Sequence, residues 1–334
     1  MSKNIVLTGD RPTGRLHLGH YVGSIQNRIK LQEEADKAYY MIADVQALTD
    51  NSSNPSKVTE NVMEVILDNL ACGVDPKKTT FFIQSAIPEI AEMTVFFLNL
   101  VTLARLKRNP TVKDEMKQKG FGEDVPAGFL SYPVSQAADI LFLRANQIPV
   151  GEDQLPVIEQ TNELVKKFNA IYGDFFDEVK PVISNFPRLV GTDGNAKASK
   201  SLGNAIYLSD DAETIKKKVM SMYTDPSHIN LNDPGKVEGN VVFTYLDIFH
   251  DDKEEVAELK DHYQKGGLGD VTIKNILINT LEAKIAPIRN RRLELEKNKD
   301  KILSDIKSST ERVQMEAREM MKEMKKVMKI DYFN

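Results

Sequence analysis

The chain has 334 residues, of which 28% are charged and 41% hydrophobic, and its formal net charge is −5. That length accommodates one large or two ordinary domains with substantial cores, and the acidic balance argues against a nucleic-acid coat over the whole surface while leaving room for a local basic face. One cysteine, Cys72, rules out a disulfide framework and a cysteine metal cluster; with no signal-peptide pattern and no apolar run of membrane-spanning length, a cytoplasmic protein is expected.

Ile5–Thr8 reads as a short buried strand and Gly9–Gly14 as turn chemistry. A helix is expected over about Val22–Glu34, an apolar strand over Ala38–Ala43, and a helix over about Lys57–Cys72 that closes at Gly73. Thr79–Gln84 is β-rich and Glu89–Leu106 helical, whereas the polar, basic stretch Lys107–Glu123 reads as a mobile surface segment. Val134–Arg144 is helical, Gln147–Val150 extended and Asp153–Asn169 helical. Such alternation predicts an α/β fold, a doubly wound parallel sheet with helices on both faces. Ligands then sit outside the carboxyl ends of the strands. Pro187–Asn204 is a loop rich in Gly, Asp and Asn; beyond it Asp211 to Tyr332 is mostly helical, with breaks at Asp225–Gly239 and Gly266–Asp270. A boundary is expected near residues 190–205, giving an α/β domain over 1–200 and an all-helical domain over 201–334.

The first chemical element is Thr8-Gly-Asp-Arg-Pro-Thr-Gly-Arg-Leu-His-Leu-Gly-His-Tyr-Val-Gly-Ser24. Strand, Gly/Pro loop and helix start present backbone N–H groups to a phosphate. His17 and His20, three apart, share a helix face, and Gly19 between them has no Cβ, so a flat ring can lie against the backbone. Two imidazoles and a glycine platform suit a nucleoside triphosphate, adenine on the glycine and phosphates on the histidines. The second element is Lys197-Ala-Ser-Lys-Ser201, two lysines on a glycine-flanked loop. Flexible ammonium groups suit a triphosphate whose charge shifts as pyrophosphate leaves, and a loop can deliver them on closing.

Pro12-Thr-Gly-Arg-Leu-His-Leu-Gly-His20 resembles the first signature of class I aminoacyl-tRNA synthetases, and Lys197–Ser201 resembles their second, Lys-Met-Ser-Lys-Ser. Ser131-Tyr-Pro-Val-Ser-Gln-Ala-Ala-Asp-Ile-Leu141 and Ile148-Pro-Val-Gly-Glu-Asp-Gln154 look like the amino-acid pocket of the tryptophanyl/tyrosyl pair. Glu159-Gln-Thr, Lys167-Phe-Asn169, Asp75-Pro76, Phe82-Ile-Gln-Ser85 and Tyr172-Gly173 are close to the bacterial tryptophanyl members, and the resemblance covers almost the whole chain. It implies a Rossmann-type catalytic domain with a connecting insertion at about 51–130. It also implies a helical anticodon-binding domain whose last helix packs back on the catalytic one.

Carried over residue by residue, the resemblance makes His17, His20, Lys197 and Lys200 the catalytic groups. Arg11, Pro12, Thr13, Gly19 and His20 would contact ATP, Gly151, Glu152 and Asp153 its ribose side, and Leu189 would border adenine. Lys197, Ala198, Ser199, Lys200 and Ser201 would form the phosphate loop. Tyr132 and Gln154 would hold the amino group of the amino acid, and Asp139 would accept the indole N–H. Gln136 belongs to the same pocket, and Leu7, Ile148 and Val150 would supply apolar walls. A carboxylate in that role would be buried and need the indole as its donor, so phenylalanine would leave it unpaired.

Four places, five residues in all, depart from the pattern. Arg11 replaces glutamine, Val45-Gln46 replaces Gln-His after Asp44, Ala198 replaces methionine, and Gln136 replaces a methionine. The last also makes Tyr-x-x-x-Gln-x-x-Asp similar to the tyrosyl enzyme. Leu7 in the first strand, a start almost directly at that strand, and the lack of a trailing RNA-binding module favour tryptophan. The implied reaction is ATP-dependent activation of L-tryptophan and transfer to tRNA(Trp). Mg2+ would arrive with the ATP phosphates, and no protein metal site is expected: His17 and His20 have no evident third ligand. The expected partners are tRNA(Trp) and a second copy of the chain, with the interface in about Asn51–Leu130 around an apolar helix Thr94–Leu106. DNA and membrane are not expected. Arg105–Lys119 and Gly266–Asp270 are the expected tRNA contacts; residues 291–334, with 12 Lys/Arg against 9 Asp/Glu, read as a solvated helix. The alternatives are a tyrosyl enzyme, a synthetase-like paralogue that binds RNA without charging it, and a small-molecule adenylyltransferase.

Overall fold

The computed structural model describes residues 3–49, 51–122, 124–183, 189–194, 197–200 and 202–333. The β-branched run at its start forms β1 (Ile5–Asp10), the middle of the sheet. Among the described residues that sheet has five parallel strands in the order β3-β2-β1-β4-β5, with β2 at Lys37–Ile42, β3 at Thr79–Ile83, β4 at Gln147–Val150 and β5 at Lys180–Ile183. The order reverses between β1 and β4, which places the ligand crevice beside the end of β1. β1 lies tight against β2: a Cβ on Gly9 would sit 2.6 Å from the Met41 carbonyl oxygen, so the register from Ile5↔Lys37 to Asp10↔Ile42 requires glycine there.

Helices cover both faces. After β1 come α1 (Leu18–His20), a π-turn over Tyr21–Ile25, and α2 (Gln26–Glu34). After β2 come α3 (Asp44–Leu48) and α4 (Pro55–Cys72), which ends at Gly73 in the left-handed conformation. The connection from β3 to β4 carries α5 (Pro88–Leu98), α6 (Leu103–Arg108), α7 (Pro110–Lys119) and α8 (Ala127–Leu141); α9 (Leu155–Tyr172) precedes β5. Beyond residue 211 the described chain is mostly helical: α10 (Ala212–Met220), α11 (Val241–Phe249), α12 (Lys253–Lys265), α13 (Asp270–Glu296) and α14 (Lys299–Val327).

The two-residue period of β2 divides the core. Tyr39 and Met41 face one cluster, with Leu7, Phe82, α5, α8, α9 and the Met320–Met324 end of α14. Tyr40 and Ile42 face the other, with α4 and the apolar sides of α11 and α13, so the helical region shares a continuous core with one face of the sheet. α14 runs along β3, where the Ser309 hydroxyl donates to the Phe81 carbonyl at 2.5 Å and covers an otherwise open sheet edge.

Three expectations are corrected. The helix expected over Glu89–Leu106 is broken after Leu98, because the Thr102 side chain accepts from the Arg105 N–H and starts a new helix. Lys107–Glu123 is not a loose segment: α6 and α7 occupy most of it, joined at Asn109, which is fully buried and caps α7 ahead of Pro110. The helix expected from Val134 begins seven residues earlier, at Ala127, with Pro133 inside it. β5 has no counterpart in the sequence reading, since Lys-Pro-Val-Ile is short and carries a proline that only an edge strand tolerates.

Candidate active site

His17 is the N-cap of α1, and its neighbours fix its ring. Its Nδ1 accepts the Gly19 N–H at 3.1 Å, while its own N–H donates to His20 Nδ1 at 3.2 Å. Both Nδ1 atoms are therefore acceptors, and the neutral rings carry their protons on Nε2. The ring centroids lie 3.9 Å apart. Burial, then the His20, Lys200 and Lys197 charges, pull His17 down to about 2. Burial and then Lys200 pull His20 down to about 4, against the opposing pull of Asp10. Two uncharged N–H donors thus stand at a helix start.

The lysine loop reaches this pair. Lys200 Nζ donates to the Gly14 carbonyl at 2.6 Å, where a Cβ on Gly14 would lie 3.1 Å from the lysine chain. Burial is the main reason Lys200 falls to about 8. Ala198 is buried, its N–H donating to the Leu189 carbonyl at 2.9 Å. A Cβ on Gly19 would lie 2.9 Å from the His17 ring and 3.8 Å from the Ala198 methyl, so only glycine fits beneath that ring. Lys197 is exposed and bridges to Val190. Ser199 donates its N–H to Asn204 Oδ1 at 2.9 Å. Ser201 lies outside the described residues. Sequence reasoning missed Asn204, whose amide also reaches Asp193 at 3.1 Å and fills the space over Gly191.

Beneath the histidines, Asp10 ends β1. Arg28 grips both of its oxygens at 2.6 and 2.8 Å, and the Tyr40 hydroxyl donates at 2.8 Å. Burial alone would raise this carboxyl, but the Arg28 guanidinium holds it well below the usual range. None of this trio was singled out in the sequence, because its members are spread over β1, α2 and β2.

On α8, Asp139 is 1% exposed. Gln84 Nε2 donates to Oδ1 at 2.7 Å and Gln46 Nε2 to Oδ2 at 3.3 Å; Gln46 also donates to the Ser135 hydroxyl at 2.6 Å. The Gln46 N–H donates to Gln84 Oε1 at 3.1 Å, which fixes the orientation of the Gln84 amide. Burial still pushes Asp139 up to about 7. The carboxylate therefore has donors of its own, contrary to the expectation that the indole is the only one. Phe82-Ile-Gln-Ser85 held the clue for Gln84, and the departure at Gln46 the clue for its partner.

The Tyr132 hydroxyl is buried and has no hydrogen-bond partner among the described residues. Burial and then the Glu115 carboxylate raise its pKa, and the charges of Arg11 and Asp153 also bear on it. Arg11 is an exposed loop residue, and Glu152–Gln154 form a short turn ahead of α9. Pro12 is buried, and the Thr13 N–H donates to the Arg11 carbonyl at 2.8 Å. Gly151 has a carboxylate oxygen of Asp153 at 2.7 Å from its Cβ position, and the Thr111 hydroxyl holds the Asp153 carbonyl at 2.7 Å. Leu7, Ile148 and Val150 line the same core cluster as Tyr132, with Gln136 and Gln154 half-buried.

The family model for tRNA synthetases class I (W and Y) matches residues 1–285. The chain belongs to this class I synthetase family. Two curated relatives, each named tryptophan–tRNA ligase, align over its full length. The one from Clostridium longisporum is 56% identical over 338 residues, covering 100% of this chain and 99% of its own. The one from Streptococcus mutans is 54% identical over 340 residues, covering 100% of both. The solved Campylobacter jejuni tryptophanyl-tRNA synthetase, complexed with ADP and tryptophan, superposes with a TM-score of 0.85 at 30% identity, over 97% of this chain and 99% of that one. The parallel sheet of this synthetase is accordingly the Rossmann-type sheet of class I, with the paired histidines at the end of its central strand. Among its described residues no group of three or more His, Cys, Asp or Glu is placed to hold a metal ion, and no helix is long and apolar enough to cross a membrane.

Proposed function

We propose that the synthetase joins L-tryptophan to ATP and passes the tryptophanyl group to tRNA(Trp). The carboxylate attacks the α-phosphorus, the bond from that phosphorus to the bridging oxygen of the β-phosphate breaks, and pyrophosphate leaves. The terminal ribose hydroxyl of the tRNA then attacks the carbonyl of the adenylate, AMP departs, and the hydroxyl proton is lost to solvent. Positioning and charge stabilisation carry such chemistry. The Nε2–H groups of His17 and His20 donate to phosphate oxygens, and Lys197 and Lys200 follow the charge onto pyrophosphate. A bound triphosphate favours the charged form of Lys200, which burial weakens in the free protein.

The observation that carries this reading is the contact between signatures 186 residues apart, Lys200 on the Gly14 carbonyl. At the far end, Tyr132 and Gln154 receive the amino group, Asp139 accepts the indole N–H beside Gln136, and Leu7, Ile148 and Val150 wall the ring. The carboxylates beside the first signature do not suit a resident Mg2+: Asp10 is held by Arg28 and Tyr40, and Asp68 by Arg292 and the Leu16 N–H. Mg2+ is assigned to the ATP phosphates instead.

Amino-acid-dependent exchange of labelled pyrophosphate into ATP, run with all twenty amino acids, tests the reading. Tryptophan is the expected winner. A preference for tyrosine would overturn the substrate, and no exchange with any amino acid would overturn the reaction. We assign the helical region beyond residue 201 to the tRNA anticodon and the protein to the cytoplasm. A two-fold dimer through α5 and α6 is supported by exposed Val95, Leu98 and Leu103; a concentration-independent monomer mass in light scattering would refute it.

A further inference from the structure

The backbone on either side of His17 is held by two separate hooks. On one side the Leu16 N–H donates to Asp68 Oδ2 at 2.7 Å, and Asp68, on α4, is fully buried. On the other side the Leu208 N–H donates to the Leu16 carbonyl at 3.1 Å and the Leu18 N–H to the Ile206 carbonyl at 2.9 Å, so segment 206–208 flanks the signature. That segment is fixed in turn by Asp210, whose carboxylate accepts the Tyr207 N–H at 2.8 Å.

Both hooks end on one turn of α13. Arg292 Nη1 donates to Asp68 Oδ1 at 2.8 Å, and its Nη2 reaches Glu64 at 2.6 Å, an oxygen shared with Arg15 of the signature loop at 2.8 Å. Arg289, three residues earlier and so on the same face of the helix, donates to the Asp210 carbonyl at 2.8 Å. The Arg292 side chain is 4% exposed and that of Asp68 0%. A pair this deep is costly to bury and is weak evidence of stabilisation by itself. Its placement gives it another role.

We propose that Asp68 and Arg292 are positioning residues for the histidine signature, linking the helical region through α13 to the backbone that carries His17 and His20. A shift of α13 along its axis moves both arginines together, and with them both supports of Leu16–Leu18. The helical region thereby sets the aim of the two Nε2–H donors although it supplies no group to the reacting atoms. The kinetic part of this inference rests on the tryptophan-activating reading above; the mechanical part does not.

The test uses the full chain with Asp68→Asn, Arg292→Met, the double variant and Arg292→Lys, followed by tryptophan-dependent pyrophosphate exchange and by hydrogen–deuterium exchange of the peptide spanning residues 14–19. Removing the link should lower kcat by about 10–100-fold, the worth of one hydrogen bond to a charged group, and change KM for tryptophan less than about threefold. Leu16 should lose protection. The double variant should be no worse than the poorer single one, since both break one chain of contacts, and Arg292→Lys should recover part of kcat. Unchanged Leu16 protection with unchanged kcat in Arg292→Met would overturn the proposal. So would a uniform loss of protection across the chain, which marks a folding defect. If the unmodified protein shows no pyrophosphate exchange, the functional reading fails, while Leu16 protection still decides whether the link exists.

Discussion

The two ends of the proposed site, the histidine–lysine group assigned to phosphates and the Asp139 group assigned to the indole, treat charge in opposite ways. At the phosphate end, His17 and His20 are kept neutral and Lys200 is eased toward neutrality, so burial and mutual repulsion hold back positive charge until an anion arrives. At the indole end, Asp139 is a buried acid held toward neutrality by the same burial, with two glutamine amides favouring its anion. One end waits for an acceptor and the other for a donor. Among the described residues each holds its titratable groups with hydrogen bonds from the protein itself.

The largest expected effect breaks the phosphate end. His20→Ala and Lys200→Ala should each lower kcat of pyrophosphate exchange by about 10²–10³-fold, as removal of a single transition-state donor does elsewhere. KM for tryptophan should stay nearly unchanged, because neither residue belongs to the indole end. Steady-state exchange kinetics with tryptophan varied would refute the division if KM alone moved.

At the indole end a smaller effect is expected. Asp139→Ala should lower kcat/KM for tryptophan by about 10–100-fold, the worth of one charge-assisted hydrogen bond. A site whose polar group is left bare rejects the wrong amino acid by about 10⁴–10⁵-fold. Here Gln46 and Gln84 keep Asp139 partnered without substrate, so discrimination against phenylalanine should fall short of that. Asp139→Asn is not expected to be mild, since both glutamines present N–H₂ groups and the new amide nitrogen would face one of them. Competitive exchange with tryptophan and phenylalanine measures both ratios.

The two ends also differ in how well the sequence revealed them. His17 and His20 sit in a short run whose glycines announce a special backbone and Lys200 on a glycine-flanked loop, so spacing marked each as a candidate and family resemblance joined the two. Asp139 was legible only through family resemblance, and its holders are ordinary residues, Gln46 in α3 after β2 and Gln84 just beyond β3, brought together by the sheet and not by the chain. The same reason hid Asp10–Arg28–Tyr40 and Asp68–Arg292. Strand and helix periods gave the α/β pattern and the helical second half. They could not show β5, whose proline denies it a strand pattern, nor the capped helices α6 and α7, where Asn109-Pro110 was a helix-start signal outweighed by the surrounding charge.

The helical pair α6 and α7 bears the basic surface expected to meet tRNA. Arg105 is committed to Glu163 at 2.8 Å, but Lys107 and Arg108 are exposed. Reversing both charges should weaken tRNA charging by about tenfold at low salt and flatten its salt dependence, with adenylate formation spared. Aminoacylation and exchange assays run in parallel at two salt concentrations would reject this surface if both activities fell together.

The smallest effect tests the opposition of charges directly, through stability. His17 and His20 have folded pKa values of about 2 and about 4, below their ordinary 6.5. Their contribution to stability is present above 6.5 and is lost as pH falls through the window toward 4. Asp139 is the reverse case, raised from 3.8 to about 7. Its contribution is complete below 3.8 and is lost as pH rises through 7. Between pH 5 and pH 7 the two ends therefore pull the unfolding free energy in opposite directions, and the unmodified protein shows only their sum with every other titrating group. Variants separate them. Asp139→Asn cannot lose stability on ionising, so its stability relative to the unmodified protein should be greater at pH 7 than at pH 5. His20→Gln cannot lose stability on protonating, so its relative stability should be greater at pH 5 than at pH 7. Any packing penalty of either substitution is the same at both pH values and cancels in the comparison. Urea unfolding of the three proteins at the two pH values gives the answer. Differences of the same sign in both variants would mean that the two ends are not charged in opposition.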